Sequence, residues 1–338
     1  MKYAAVGVER KKRHIIRNIL IIVGIVLVFT IIFLFSAMAV IMKGPSKAAR
    51  DLFVVTCMET SFAKIFPPMY LSNQQIDQIK QANSVIESNE VTDVATTIVQ
   101  TDQPKPNQKE IEVVDVVGPT YKGKMMIVKD PSRVVVISPD EYGEDKEGEK
   151  LDKLMKKVNA VAGINGGGFV DENGVGNGGI PLGTVIRNGV FLYGDHRTSA
   201  VNIIGFDNKN ILHVGNMTSA EMKERKIRDA VSFGPALIVN SNPIKTSGSS
   251  GGLNPRTAIG QRKDGSVLLL VIDGRQPHSL GANFKDLVEV MQKFEAVNAG
   301  NLDGGSSSML YYNNELITTC ASLYGPRKIP SGFGVLPK

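Results

Sequence analysis

Ala296-Val297-Asn298-Ala299-Gly300-Asn301-Leu302-Asp303-Gly304-Gly305-Ser306-Ser307-Ser308-Met309-Leu310 starts apolar, breaks into a polar, glycine-rich turn and resumes apolar. The pattern predicts a buried strand ending near Asn301 and Asp303, then a turn, then a second strand. Gly304 and Gly305 free the backbone to take positive φ and to approach a ligand closely. A carboxylate, an amide, exposed backbone N–H groups and the hydroxyls that begin at Ser306 suit a polar, oxygen-rich ligand. An isolated Asp-Gly-Gly is an ordinary tight turn. This one matters because the same arrangement recurs along the chain.

Gly163-Ile164-Asn165-Gly166-Gly167-Gly168-Phe169 ends an apolar run in a glycine turn with an amide beside it. Ser232-Phe233-Gly234-Pro235-Ala236-Leu237 is a turn entering a strand. Asn254-Pro255-Arg256-Thr257-Ala258-Ile259-Gly260 places a guanidinium and a hydroxyl at a strand start. Leu268-Leu269-Leu270-Val271-Ile272-Asp273-Gly274-Arg275 runs a buried strand into a second Asp-Gly with an arginine next to it. Several apolar strands that each end in such groups would gather them at one rim of a sheet.

From about residue 111 onward, short β-branched runs recur between turns, among them Ile111–Val117, Met125–Val128, Val134–Ile137, Val201–Phe206 and Ala236–Val239. Helical patterns are fewer. One lies near Lys150–Val158. A clearer one runs from Asn283 to Phe294, with Phe284, Leu287, Val288 and Met291 on one face. Strands that outnumber helices without alternating with them predict an α+β body with a mixed β-sheet over residues 111–338. Gly174, Gly176 and Gly179 match a dinucleotide pattern, but Asp-Glu-Asn rather than a strand precedes them and Pro181 blocks a following helix.

Ahead of the body, Ile19 to Met42 is 24 residues without a charge. At about 1.5 Å per residue this crosses a hydrocarbon core of roughly 30 Å with some tilt. Residues 1–18 form a basic tail. Lys2, Arg10, Lys11, Lys12, Arg13 and Arg17 against Glu9 supply +5 of the net +6. A basic flank before the span predicts a cytoplasmic N-terminus and an extracellular body, with an uncleaved single-pass anchor preferred to a signal peptide. The remaining charge is near zero, so nothing marks the chain for nucleic acid. Residues 43–110 read as a helical stem and linker. Ser72-Asn73-Gln74-Gln75 is a capping box, and the polar, proline-bearing stretch Gln103–Lys109 is a linker. This segment is expected to be a spacer that lifts the body off the membrane. Cys57 and Cys320 lie far apart with no metal-ligand spacing, compatible with one disulfide or with two free thiols.

The chemistry-bearing residues sort by type. Arg256 and Arg275 each present a fork of donors to phosphate or carboxylate oxygens. Asp273 and Asp303 are a pair of carboxylates suited to acid–base or nucleophilic work at a glycosidic bond. His278 is a loop histidine with a transferable proton; His196 and His213 share no ligand spacing.

Asn165–Phe169, Asn254–Gly260, Val271–Arg275 and Asn301–Ser307, in that order, resemble the phosphodiester glycosidase family, over about residues 110–336. The family's animal member removes N-acetylglucosamine from a sugar phosphodiester. The resemblance implies a hydrolase that breaks the anomeric C–O bond of a sugar-1-phosphodiester, with Asp303 and Asp273 catalytic. It also implies a substrate contact surface made from Asn165, Gly166, Arg256, Thr257, Arg275, Asn301, Gly304, Gly305 and Ser306, and no cofactor. The partner expected is a phosphodiester-linked glycan of a cell envelope or exopolysaccharide. Two other readings stay open. One is a non-catalytic glycan-phosphate binding module. The other is a metal-assisted phosphodiesterase cutting P–O, for which the ligand spacing offers no divalent-cation site.

Overall fold

A computed structural model describes residues 2–60, 62–86, 88–95, 110–172, 176–322 and 324–338; side chains are described from residue 14. The linker expected at Gln103–Lys109 and part of the Gly174–Gly179 loop lie outside these residues.

Val267–Ile272 reads Val-Leu-Leu-Leu-Val-Ile and is buried at every position. An uninterrupted apolar run of this length needs protein on both faces of its sheet. It lies inside a seven-stranded sheet. The order is Asn242–Pro243, Ala236–Val239, Ala296–Leu302, Arg256–Arg262, Val267–Ile272, Lys122–Val128 and Ile111–Val117. On one face, Leu268, Leu270 and Ile272 pack against Leu287, Val288 and Met291 of the helix Phe284–Lys293. Asn283 caps that helix and Asp286 returns the bond, closing a capping box. On the other face, Leu269 and Val271 meet two five-stranded sheets. One contributes Ile204, Phe206, Val214 and Val231; the other contributes Val136, Ile164, Leu310 and Phe333. Phe206 and Phe333 meet edge to face across this junction, with ring centroids 6.2 Å apart.

The α+β class and the predominance of strands stand as expected. Every pairing between named strands among the described residues is antiparallel, a narrower arrangement than a mixed sheet. Register then decides where the polar ends fall. Arg256 sits opposite Ile272, and Thr257 opposite Leu302. The start of one strand and the ends of its two neighbours therefore share one rim.

The apolar helix runs from Lys2 to Lys43, and the stretch His14–Lys43 is long and apolar enough to cross a membrane. The stem differs from the spacer expected. Helices Lys47–Met58 and Asn73–Ala82 fold back on the apolar helix, where Met38 and Met42 join Val54, Val55, Ile76 and Ile79 in one cluster. The chain then straps onto the body. Val85–Ile86 pairs with Lys245–Thr246, Thr56 Oγ1 accepts from Leu253 N at 3.0 Å, and Thr92 N donates to Val214 O at 3.1 Å. A spacer would need a polar, solvated backbone. Here Ile76 and Ile79 of the helix Asn73–Ala82 are buried instead. Cys57 and Cys320 are both free.

Leu269 is fully buried where the three sheets meet. Leu269→Ala should cost about 2–5 kcal/mol, the usual loss for a core leucine whose cavity cannot collapse. Chemical denaturation measures it, and a loss under about 1 kcal/mol would contradict the three-sheet core.

Candidate active site

Asn165 ends the strand Ala162–Asn165 and is 1% exposed. Its amide Nδ2 donates to the Asp303 carbonyl at 2.6 Å, while its Oδ1 accepts from Thr257 Oγ1 at 2.8 Å and from Met309 N at 3.1 Å. From the other side, Asp303 N donates to the Gly166 carbonyl at 3.0 Å. Three strands are thus pinned to one turn, and the turn presents Asp303. Gly305 takes φ +59°, and a Cβ there would stand 3.4 Å from the Arg275 guanidinium. That distance is ordinary contact, so it is the positive φ that calls for glycine at this turn.

Asp303 lines a cavity of about 390 Å³ together with Arg256, Arg275, Asn254, Phe233, Asp171, Arg327 and residues 304–307. The stem closes one side with Glu59, Thr60 and Phe62. Burial pushes the Asp303 carboxyl up to about 6, and the Asp171 charge adds to this. Hydrogen bonds from Ser307 and Gly304 N, with the Arg327 charge, hold it from rising further. The result is a carboxylate that titrates near neutrality, as acid–base groups in active sites do.

The two expected arginines differ in what they have left to give. Arg256 is 7% exposed. Its Nε donates to Ala282 O at 3.0 Å, and its Nη2 reaches Gly251 O and Gly252 O. The guanidinium stacks on Phe284 at 4.4 Å from the ring centroid. Burial lowers its pKa to about 10. Arg275 takes φ +58°, and among the described residues its guanidinium makes one hydrogen bond, from Nη2 to Asn254 Oδ1 at 3.0 Å. Burial lowers its pKa too, against the Glu59 charge, which acts on both arginines.

A second charged pair also lines the cavity. Arg327 holds Asp171 through two bonds, Nη1 to Oδ2 at 2.7 Å and Nη2 to Oδ1 at 2.9 Å. The same guanidinium reaches Ser306 Oγ at 3.1 Å and Gly176 O at 2.9 Å and lies over the Phe169 ring. Gly176 N also donates to Asp171. Burial raises the Asp171 pKa, but Arg327 and Gly176 N outweigh it and leave the group below its ordinary value.

Of the residues expected in the site, Asp303, Arg256, Arg275, Gly304, Gly305 and Ser306 line the cavity. Asp273, Asn165, Gly166, Thr257 and Asn301 do not. The Asp273 carboxylate accepts from Thr319 N at 2.8 Å and faces His278 at 3.6 Å, so its geometry is that of a loop anchor. Asn165 and Thr257 spend their side chains on the Asp303 turn. Gly166 backs that turn, and a Cβ on it would clash with Ser331. Asn301 is buried, with Nδ2 donating to Gly234 O at 2.7 Å. Asp171, Arg327 and Glu59 escaped the sequence reading because none stands in a glycine turn at a strand end that repeats the Asn301–Ser307 pattern; Glu59 instead closes the stem helix Lys47–Met58. Asp171 had one usable signal, its place two residues past Asn165–Phe169. Among the described residues no group of three or more His, Cys, Asp or Glu is placed to hold a metal ion.

A family model described as phosphodiester glycosidase matches residues 158–336. The SPbeta prophage-derived uncharacterized protein YomE of Bacillus subtilis (strain 168) is 29% identical over 181 residues, 49% of this chain and 27% of that protein. N-acetylglucosamine-1-phosphodiester alpha-N-acetylglucosaminidase of Bos taurus is 39% identical over 64 residues, 19% of this chain and 12% of that enzyme. The chain thus spans 27% and 12% of the length of these curated relatives. The zebrafish N-acetylglucosamine-1-phosphodiester alpha-N-acetylglucosaminidase catalytic domain, auto-inhibited by its pro-peptide, shares the fold. Its TM-score is 0.56 at 20% identity, over 74% of this chain and 88% of that domain.

Asp303 carries a stability signature. Its folded pKa, near 6, lies above the ordinary 3.8, so the folded state holds the proton more tightly. Stability from this group is fully present below pH 3.8 and is lost as pH rises to about 6. Asp303→Asn should therefore unfold at higher denaturant than wild type at pH 7.5, with the gap closing by pH 4. A gap that is constant across that range would mean the carboxyl titrates normally.

Proposed function

The chain belongs to the phosphodiester glycosidase family, and from that premise we propose that it hydrolyses the anomeric C–O bond of a sugar-1-phosphodiester. The observation that carries this is one wall-to-wall juxtaposition. The Asp303 carboxyl, pushed up to about 6, stands in a cavity with the guanidiniums of Arg256 and Arg275, and the charge of the stem's Glu59 acts on both of them.

In this reading Arg275 is the principal phosphate ligand, because its fork is the less committed of the two. Arg256 adds its charge and stiffens the Gly251–Gly252 loop. Substrate phosphate replaces the Glu59 carboxylate as partner of both arginines. Phosphate is a good leaving group and leaves with its bridging oxygen without a strong acid. Asp303 then acts ionised, on water or on the anomeric carbon. The Arg327–Asp171 clamp holds Ser306 and the floor of the turn in place. Asp273 is not assigned chemistry; it anchors Thr319 near the rim.

The cut at phosphorus fits less well. In-line attack there commonly uses two metal ions, and the cavity offers Asp303, Asp171 and Glu59 as its acids, of which Asp171 is bound to Arg327. We further propose residues 111–338 as the catalytic domain, residues 19–42 as its membrane anchor and residues 1–18 as a cytoplasmic tail. The body then works outside the cell on an envelope glycan or exopolysaccharide.

Purified enzyme should release sugar from one member of a panel of N-acetylglucosamine-1-phosphate and related diesters. Its kcat/KM should rise with pH through about 6, the Asp303 value. Asp303→Asn should lose roughly 10²–10⁴-fold in kcat, the usual worth of an acid–base group. Binding without turnover across the panel would favour the binding module instead. A rate that falls through pH 6 would make Asp303 a proton donor.

A further inference from the structure

Phe62 belongs to two surfaces at once. It lines the cavity beside Arg256, Arg275 and Asp303, yet 74% of it is exposed. It opens a loop of two short 3-10 turns, Ala63–Ile65 and Pro67–Met69, on which Ile65 is 52% and Met69 54% exposed. Apolar side chains exposed together mark a contact surface. What covers this one is indicated by its neighbour. The Tyr70 hydroxyl donates to the Phe35 carbonyl at 3.1 Å, and Phe35 is part of the apolar helix.

Phe35 fixes the depth. Counted from Ile19, about 20 residues fill a hydrocarbon core of roughly 30 Å, so Phe35 falls within about one turn of its outer edge. Tyr70 then lies at headgroup level, where tyrosine is favoured. Lys64 stands exposed on the loop, and Lys43 stands exposed about two turns beyond Phe35 on the same helix. Such side chains suit an interface rich in anionic headgroups. The body is therefore held against the span, with the cavity opening beside the exposed loop.

We infer that residues 62–69 dip into the lipid surface next to the helix and hold the mouth of the cavity there, so that the enzyme draws its phosphodiester from a lipid-borne glycan. This rests on the proposed membrane anchor and on the proposed reaction. The aglycone is then a lipid chain that never has to leave the bilayer. Phe62 lies between that chain and the guanidiniums that take its phosphate.

The full chain, reconstituted in vesicles of phosphatidylcholine and phosphatidylglycerol, separates the parts. The sequence has no tryptophan, so Ile65→Trp supplies a single fluorophore. Its emission should be blue-shifted and quenched by lipids brominated on the acyl chain. Tyr324→Trp, at a side chain 98% exposed, should be unquenched. Vesicle flotation reports the anchor independently. Protein that floats with an unquenched Ile65→Trp overturns the inference and leaves the anchor intact. Protein that does not float overturns both. Ile65→Ser/Met69→Ser should lower turnover of a sugar-1-phosphate diester of a long-chain alcohol in the vesicles by about tenfold, the factor that one aliphatic burial carries. Turnover of the water-soluble methyl diester should be unchanged. Equal effects on both diesters overturn the lipid-borne substrate, and no turnover of either by wild type overturns the reaction on which it rests.

Discussion

The turn that carries Asp303 depends on the side chain of Asn165. One amide donates to the carbonyl of the residue that bears the carboxyl, and its oxygen gathers a hydroxyl from a second strand and an N–H from a third. Buried polar groups are costly unless they are paired, so this network is stable only when all three strands are in register. That requirement links the sheet to the chemistry. The position of one carboxyl is set by antiparallel pairings that extend through the whole body.

Charge balance explains why the cavity tolerates so many ions. Arg327 and Asp171 neutralise each other with two bonds in fork geometry. Arg256 satisfies its donors on loop carbonyls and its face on Phe284. Arg275 and Asp303 are the groups left with interactions to complete. A site that keeps its least satisfied cation and its most proton-retaining acid on one wall is prepared for a ligand with an anionic and a neutral half.

Much of the fold was legible because burial on two faces writes itself as an apolar run. Val267–Ile272 and Ala236–Val239 have the expected bounds, and the helix Phe284–Lys293 follows its stripe and its Asn283 cap. Gly332–Val335 was not legible although it is paired on both sides in its sheet. Its glycines are there because a Cβ at Gly332 would stand 2.6 Å from the Ile164 carbonyl, and they erase the β-branched signal. Ile227–Ser232 was hidden by Arg228 and Asp229, which read as surface charges but pair with each other at the sheet. In the site, sequence spacing found the residues that make the rim. It did not separate those that face the cavity from those, like Asn165, Thr257 and Asp273, that hold the rim from behind. That distinction lies in side-chain direction, which residue type does not encode. The stem was misjudged for a related reason: its apolar stripe names no partner, and the partner is the helix before it.

The central claim is that the anomeric C–O bond breaks and the phosphate departs with its bridging oxygen. Hydrolysis of a sugar-1-phosphodiester in oxygen-18 water, with both products analysed by mass spectrometry, tests it most directly. The account predicts label at C1 of the released sugar and none in the phosphomonoester. Label in the phosphate would contradict it and assign the cut to phosphorus.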